Sequence, residues 1–202
     1  MRKRVLALAL ALLVGPLAAA QSARADWQPT QRVETYAVSG ASGIELYQSI
    51  GANGPRIGVG PAIAYTTFDL KWSRDYREQA DGSCTLATAK PWLVIITKLP
   101  KPAGKLPPVT QAAWETFIQG ITAHERVHGD MIVDMVRKIE AFSVGLTAAD
   151  DPGCRKVREV LQKRLGELSQ EQRARSREFD RVEMTDGGNV HRLILGLVNG
   201  AP

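Results

Sequence analysis

Five consecutive residues, His124-Glu125-Arg126-Val127-His128, carry the most specific chemistry in this chain. They read H-E-x-x-H inside a stretch patterned as a helix. Residues four apart on a helix lie on one face, so both imidazoles can point at a single metal ion. Glu125, beside them, is set to take a proton from metal-bound water, the arrangement of zinc metallopeptidases. The chain has only three histidines, and two stand at this spacing. Zinc would lower the pKa of its water and polarise a scissile carbonyl. Glu125 would serve as general base and then hand the proton to the leaving amine.

A catalytic zinc keeps three protein ligands and one open position, so a third ligand is needed. Asp134, six residues after His128, is set aside because Met131 stands where a helix-breaking glycine would be required, and the helical stripe continues through it. Folding two helices back to back about residue 150 brings residues 170 to 180 opposite the motif. Glu171, Glu178, Asp180 and Glu183 are the carboxylates nearby. Glu183, one turn from Phe179, is expected to face inward, whereas Glu178 and Asp180 are expected outward or sideways. His191 lies beyond Gly187-Gly188, a turn that could swing it back. The third ligand is therefore expected to be Glu183 or His191.

Each candidate has a plainer reading. Glu183 could pair with Arg177 or Arg181, His191 could be a surface side chain, and the motif itself could be a metal-free buried polar network. The basic run Arg173, Arg175, Arg177, Arg181 is interleaved with carboxylates and reads as a solvated face with local ion pairs. Trp27, Trp72, Trp92 and Trp114 read as core residues. Neither a phosphate-binding glycine loop nor a Gly-x-Ser-x-Gly element is present.

Residues 1–25 read as a signal peptide: basic Arg2-Lys3-Arg4, an apolar run from Val5 to Leu17, and Ala23-Arg24-Ala25 as an A-x-A cleavage signal between Ala25 and Asp26. The apolar run is short for a membrane span, and no stable membrane anchor is expected. The segment holds four basic residues and no acidic one, so its removal takes the formal charge from +5 to +1. The basic balance is thus mostly a targeting feature and gives no ground for nucleic-acid binding. An exported chain with two cysteines, Cys84 and Cys154, suggests one disulfide, with two free thiols as the alternative.

The elements that must position the motif fall into two halves of a single domain, residues 26–202. Residues 26–100 read as strands and turns with one short helix. Strands are expected over Val33–Val38, Ala64–Tyr76, Cys84–Ala89 and Trp92–Leu99, with Asp81-Gly82 as a hairpin turn. Trp92–Leu99 looks the most buried and is the candidate to hold an extended peptide by main-chain hydrogen bonds. Ser42 can cap a short helix through Ile50. After the proline-rich connector, residues 109–202 read as helical. Thr110 is a plausible N-cap, and one apolar stripe runs from Trp114 to Phe142 through the motif. A second helix is expected from about Cys154 to Met184, with Phe179 and Val182 on its inner side, then a short apolar tail over Val190–Val198.

Several of these features occur in one order: the export signal, the strand with Asp69-Leu70-Lys71-Trp72, Cys84, the proline connector, H-E-x-x-H, Cys154 and Phe179-Asp180. In that order the chain resembles a bacterial family of predicted secreted zinc-dependent proteases (domain of unknown function 922). The resemblance implies a zincin-like site with His124 and His128 as zinc ligands and Glu125 as catalyst, and a Cys84–Cys154 bridge. The chain departs from the family pattern after Phe179-Asp180, where a histidine is absent. The resulting expectation is an α+β domain, a small antiparallel sheet followed by a long helical hairpin. It would act as a periplasmic or secreted zinc metallopeptidase on peptide or protein substrates. The alternative is an inactive zincin-like protein that binds an envelope component or partner.

Overall fold

The computed structural model describes residues 27–57 and 60–200. The signal peptide and its Ala25/Asp26 cleavage point lie outside the described residues. Strand β1 (Thr30–Val38) leads to helix α1 (Gly43–Asn53). Ser42 caps α1 as expected, in a reciprocal box. Its hydroxyl accepts the Glu45 N–H (3.4 Å), and the Glu45 carboxylate accepts the Ser42 N–H (3.0 Å). Two short strands, β2 (Arg56–Ile57) and β3 (Gly60–Pro61), form a separate ribbon before the long hairpin β4 (Tyr65–Glu78) and β5 (Cys84–Pro102).

The expected antiparallel sheet is in fact mixed. β4 and β5 pair antiparallel, but β1 pairs parallel with β5 from Thr30↔Val94 to Val38↔Pro102. The turn after β4 reverses the chain, so β5 returns in the direction of β1 and inserts between the two, giving the order β1-β5-β4. The two strands expected over Cys84–Leu99 are one. Pro91 lies where β5 has only β4 as neighbour, before β1 begins to pair at Val94, so its missing N–H leaves no gap in a central ladder. Trp92, read as core, is 59% exposed. It alternates with the inward Leu93 and so points to the open face. Trp114, by contrast, is buried in the core.

The second half is helical: α2 (Pro108–Ser143), α3 (Arg155–Met184) and α4 (Asn189–Asn199), with a two-residue strand β6 (Thr147–Ala148) pairing with the start of β5. Thr110 is not the N-cap of α2. The helix begins at Pro108, a residue suited to a first turn because it has no N–H to lose. The Thr110 hydroxyl instead donates to the Ala41 carbonyl (2.8 Å). At the start of α3 the buried Asp151 carboxylate accepts the N–H groups of Lys156 (2.8 Å) and Val157 (3.0 Å), serving donors that a helix leaves unpaired. The apolar tail is helix α4, whose Val190 and Leu197 pack against α1 and the first half of α2. Gly43 permits this approach, since a Cβ there would lie 1.8 Å from the Leu197 carbonyl oxygen.

Three apolar clusters hold these layers. Trp114, Phe117 and Ile121 of α2 meet Val38, Leu46 and α4. Ile132, Met135, Val136 and Ile139 of α2 meet Leu93 and Ile95 of β5 and Leu168 of α3. Leu86, Val157 and Leu161 surround the Cys84–Cys154 disulfide, which joins the start of β5 to the residue before α3 across a sequence separation of 70. A cross-link closing so long a loop restricts the unfolded chain strongly. Replacing both cysteines by serine is expected to cost roughly 2–5 kcal/mol, read as a lower urea midpoint with the far-UV spectrum retained. An unchanged midpoint would show that the bridge contributes no stability.

Candidate metal centre

The apolar stripe of α2 is interrupted at its middle. Between Ile121 and Ile132 the inward side chains are those of His124, Glu125 and His128, which are 5, 5 and 9% exposed. Polar groups buried this deeply require partners, and two neighbouring elements supply them.

The first is α3. Ser176, Phe179, Asp180 and Glu183 stand at i, i+3, i+4 and i+7, a single helical face, and all four approach the histidines. One oxygen of Asp180, Oδ1, lies 2.9 Å from His128 Nε2 and 3.2 Å from His124 Nε2, and the two Nε2 atoms are 3.1 Å apart. On the far side of the rings, His128 Nδ1 is 3.3 Å from the Ser176 hydroxyl, and His124 Nδ1 is 3.6 Å from Glu183 Oε2. Phe179 stacks on His124 with ring centroids 4.7 Å apart and planes inclined by 17°, and meets His128 edge-on at 5.4 Å.

The second is β4. The Thr66 hydroxyl lies 2.8 Å from Glu125 Oε2, 3.1 Å from the Glu125 carbonyl oxygen and 3.3 Å from the Thr97 hydroxyl of β5. Glu125 is thereby held on the sheet side of α2, while the histidines face α3.

The donor set fits a divalent cation. Two imidazole nitrogens and one carboxylate oxygen form a triangle with edges of 2.9, 3.1 and 3.2 Å. Arms of about 2.0–2.1 Å to a tetrahedral ion would separate such donors by roughly 3.3 Å. His124, His128 and Asp180 are the cluster among the described residues whose ligand atoms could hold one ion.

Of the residues anticipated for the site, His124, Glu125 and His128 come together. Glu183 reaches the outer nitrogen of His124, on the side away from the triangle. It does not pair with Arg181, which bonds Glu178 (2.6 and 2.8 Å). His191 stays in the first turn of α4, where its Nδ1 accepts the Gly187 N–H (3.1 Å). Asp180, expected to face outward or sideways, is the carboxylate that meets both histidines. Val182, expected inward, is exposed. Trp92–Leu99 cannot take a peptide along most of its length, because from Val94 onward β5 is paired on both edges. Asp134 serves the surface, bonded to Arg175 (2.6 Å).

Burial pushes the Glu125 carboxyl above its ordinary range, against the Thr66 hydroxyl and the two imidazoles, which pull it down. Burial alone would lower His124, but the Asp180 carboxylate bonded to it, with Glu125 and Glu183 nearby, carries it upward. Asp180 is opposed by its own burial, yet hydrogen bonds and charge from both imidazoles hold it well below the usual carboxylate range.

The chain belongs to the bacterial family described as "Bacterial protein of unknown function (DUF922)", which it matches over residues 33–188. No curated protein and no solved structure matches it.

These shifts set a pH signature. Glu125 and His124 have raised pKa values in the folded state. Their contribution to stability is therefore full below the unfolded values, about 4.3 and 6.5, and is lost as pH rises through the folded ones. Asp180, lowered, contributes above about 3.9 and is lost only on acidification. In excess chelator the melting temperature is expected to fall as pH rises above the unfolded values. Imidazoles must be deprotonated to bind a cation, so excess zinc should oppose that fall. Identical melting curves with zinc and with chelator across the range would argue against a cation at this site.

Proposed function

We propose that this family member is an exported zinc-dependent metallopeptidase, with His124, His128 and Asp180 as metal ligands and Glu125 as general base. The observation that carries this reading is the convergence of two imidazole nitrogens and one carboxylate oxygen on a common point beside a buried glutamate. Three protein donors leave a tetrahedral ion one open position, the mark of a catalytic rather than a structural site. When bound, zinc supplies Lewis acidity, acidifying water towards neutrality and polarising a carbonyl.

The remaining steps fall to the chain itself. Glu125, with its pKa raised by burial, is a better proton acceptor than an exposed carboxylate and can return the proton to a leaving amine. Thr66 holds Glu125 Oε2, which leaves proton transfer to Oε1. Phe179 covers one face of His124 and limits water there. An extended substrate requires a strand with an unpaired edge. β4 begins beside Glu125 at Thr66 and pairs only with β5 among the described residues, so its outer edge fits that role in place of Trp92–Leu99.

Export rests on residues 1–25. Among the described residues no helix is long and apolar enough to cross a membrane. The alternative of an inactive, partner-binding protein drew on the want of a third ligand, and Asp180 weakens that ground.

The test is metal content and peptide hydrolysis of the purified mature protein. About one zinc per chain is expected, lost in the His124→Ala/His128→Ala double variant and sharply reduced in Asp180→Ala. Glu125→Gln should keep its zinc while hydrolysis falls by about 10²–10⁴-fold. An absence of zinc from the wild-type protein in metal-replete buffer would sink the proposal. Full zinc with hydrolysis indifferent to Glu125→Gln would favour the binding reading.

A further inference from the structure

The outer nitrogens of the two histidines pose a separate question. Nδ1 of His124 is fully buried and has no partner within hydrogen-bond distance, and such an atom is costly to leave unmet. The carboxylate nearest to it is Glu183, with Oε2 at 3.6 Å and a side chain only 19% exposed. That gap exceeds a hydrogen bond by about half an ångström, within reach of a small rotation of a side chain on the last turn of α3. His128 is treated similarly. Its Nδ1 lies 3.3 Å from the Ser176 hydroxyl, which itself accepts a hydrogen bond from Gln172 Nε2 (3.0 Å).

From this arrangement we infer that Glu183 is a positioning residue for zinc, accepting the Nδ1–H of His124 so that its Nε2 lone pair is presented to the ion, with Ser176 playing the weaker equivalent part for His128. The inference rests on the metallopeptidase reading and adds to it a division of labour along one face of α3. Asp180 binds, Phe179 stacks, and Ser176 and Glu183 orient from behind. An imidazole has two nitrogens, and whichever carries the proton cannot bind metal. A carboxylate behind Nδ1 selects the tautomer whose Nε2 is free and makes that nitrogen a stronger donor. The geometry separates this role from ligation, because Glu183 approaches the nitrogen opposite the one in the donor triangle.

The test uses zinc affinity by competition with a chromophoric chelator, and the visible absorption of the cobalt(II)-substituted protein as a report on the directly bound groups. Glu183→Ala is expected to weaken zinc binding roughly 10–100-fold while leaving the cobalt spectrum in place. Glu183→Gln, which keeps an acceptor oxygen, should recover part of the loss and guards against a folding defect in the alanine variant. Asp180→Ala should alter the cobalt spectrum itself. Wild-type affinity in Glu183→Ala would overturn the positioning role, and so would a cobalt spectrum altered as in Asp180→Ala, which would make Glu183 a ligand. A wild-type protein that binds no zinc would overturn this inference together with the reading beneath it. Tight zinc with an indifferent Glu183 would overturn this inference alone.

Discussion

Two imidazoles and a carboxyl occupy positions on α2 where the pattern calls for apolar side chains, and much of the architecture answers that constraint. An ionisable group taken from water without a partner is among the costliest features a fold can carry. The apolar clusters on either side of the motif, around Phe117 and around Val136, keep α2 pressed onto its neighbours and leave His124, Glu125 and His128 largely buried. The compensation must come from other elements. β4 offers the Thr66 hydroxyl to Glu125, and α3 offers Asp180 to both histidines. The α2–α3 hairpin and the β4–β5 hairpin are therefore two halves of one polar solution embedded in an apolar scaffold.

The local parts of this arrangement could be read from the residues. H-E-x-x-H sits on the inner stripe of α2 because its spacing matches that of Trp114, Phe117 and Ile121. Ser42 marks the first helix start, and Asp81-Gly82 the long hairpin. The pairing of the two cysteines followed from export and family resemblance, and it is present. The parallel insertion of β5 beside β1 was not legible. It joins residues more than sixty apart in sequence, and strand pattern says which face is buried, not which partner lies at the edge.

Asp180 was missed for a reason that can be stated in degrees. Successive helical residues are about 100° apart, so an error of one position in placing the inner face of α3 exchanges Asp180 for its neighbours. The apolar character of Val182 places it inward, and with that face inward Asp180 turns away. The inner row in fact runs through Ser176, Phe179, Asp180 and Glu183. The spacing of those four was visible in advance. Three of them are polar, and although Glu183 is expected inward, a polar residue such as Asp180 falls by default to the solvated face. On a helix opposite a buried H-E-x-x-H that assumption reverses, since the partners of buried polar groups are themselves polar.

Contacts within the chain itself gather these donors. The Asp180 carboxylate lies against both imidazoles, which brings the three side chains together and ties α3 to α2. Distant ligands joined only by a flexible loop would have to be ordered by the metal, and folding would then depend on it, as in small zinc domains. Here the ordering is done by Leu168 packed with Val136, by the disulfide ahead of α3, and by the surface pairs of Asp134 and Lys138 with Arg175 and Glu171. On the proposed reading, a cation held by His124, His128 and Asp180 would take the place of these hydrogen bonds. On the proposed metallopeptidase reading such an arrangement would be an advantage, because binding energy not consumed in assembling a site remains available to the chemistry.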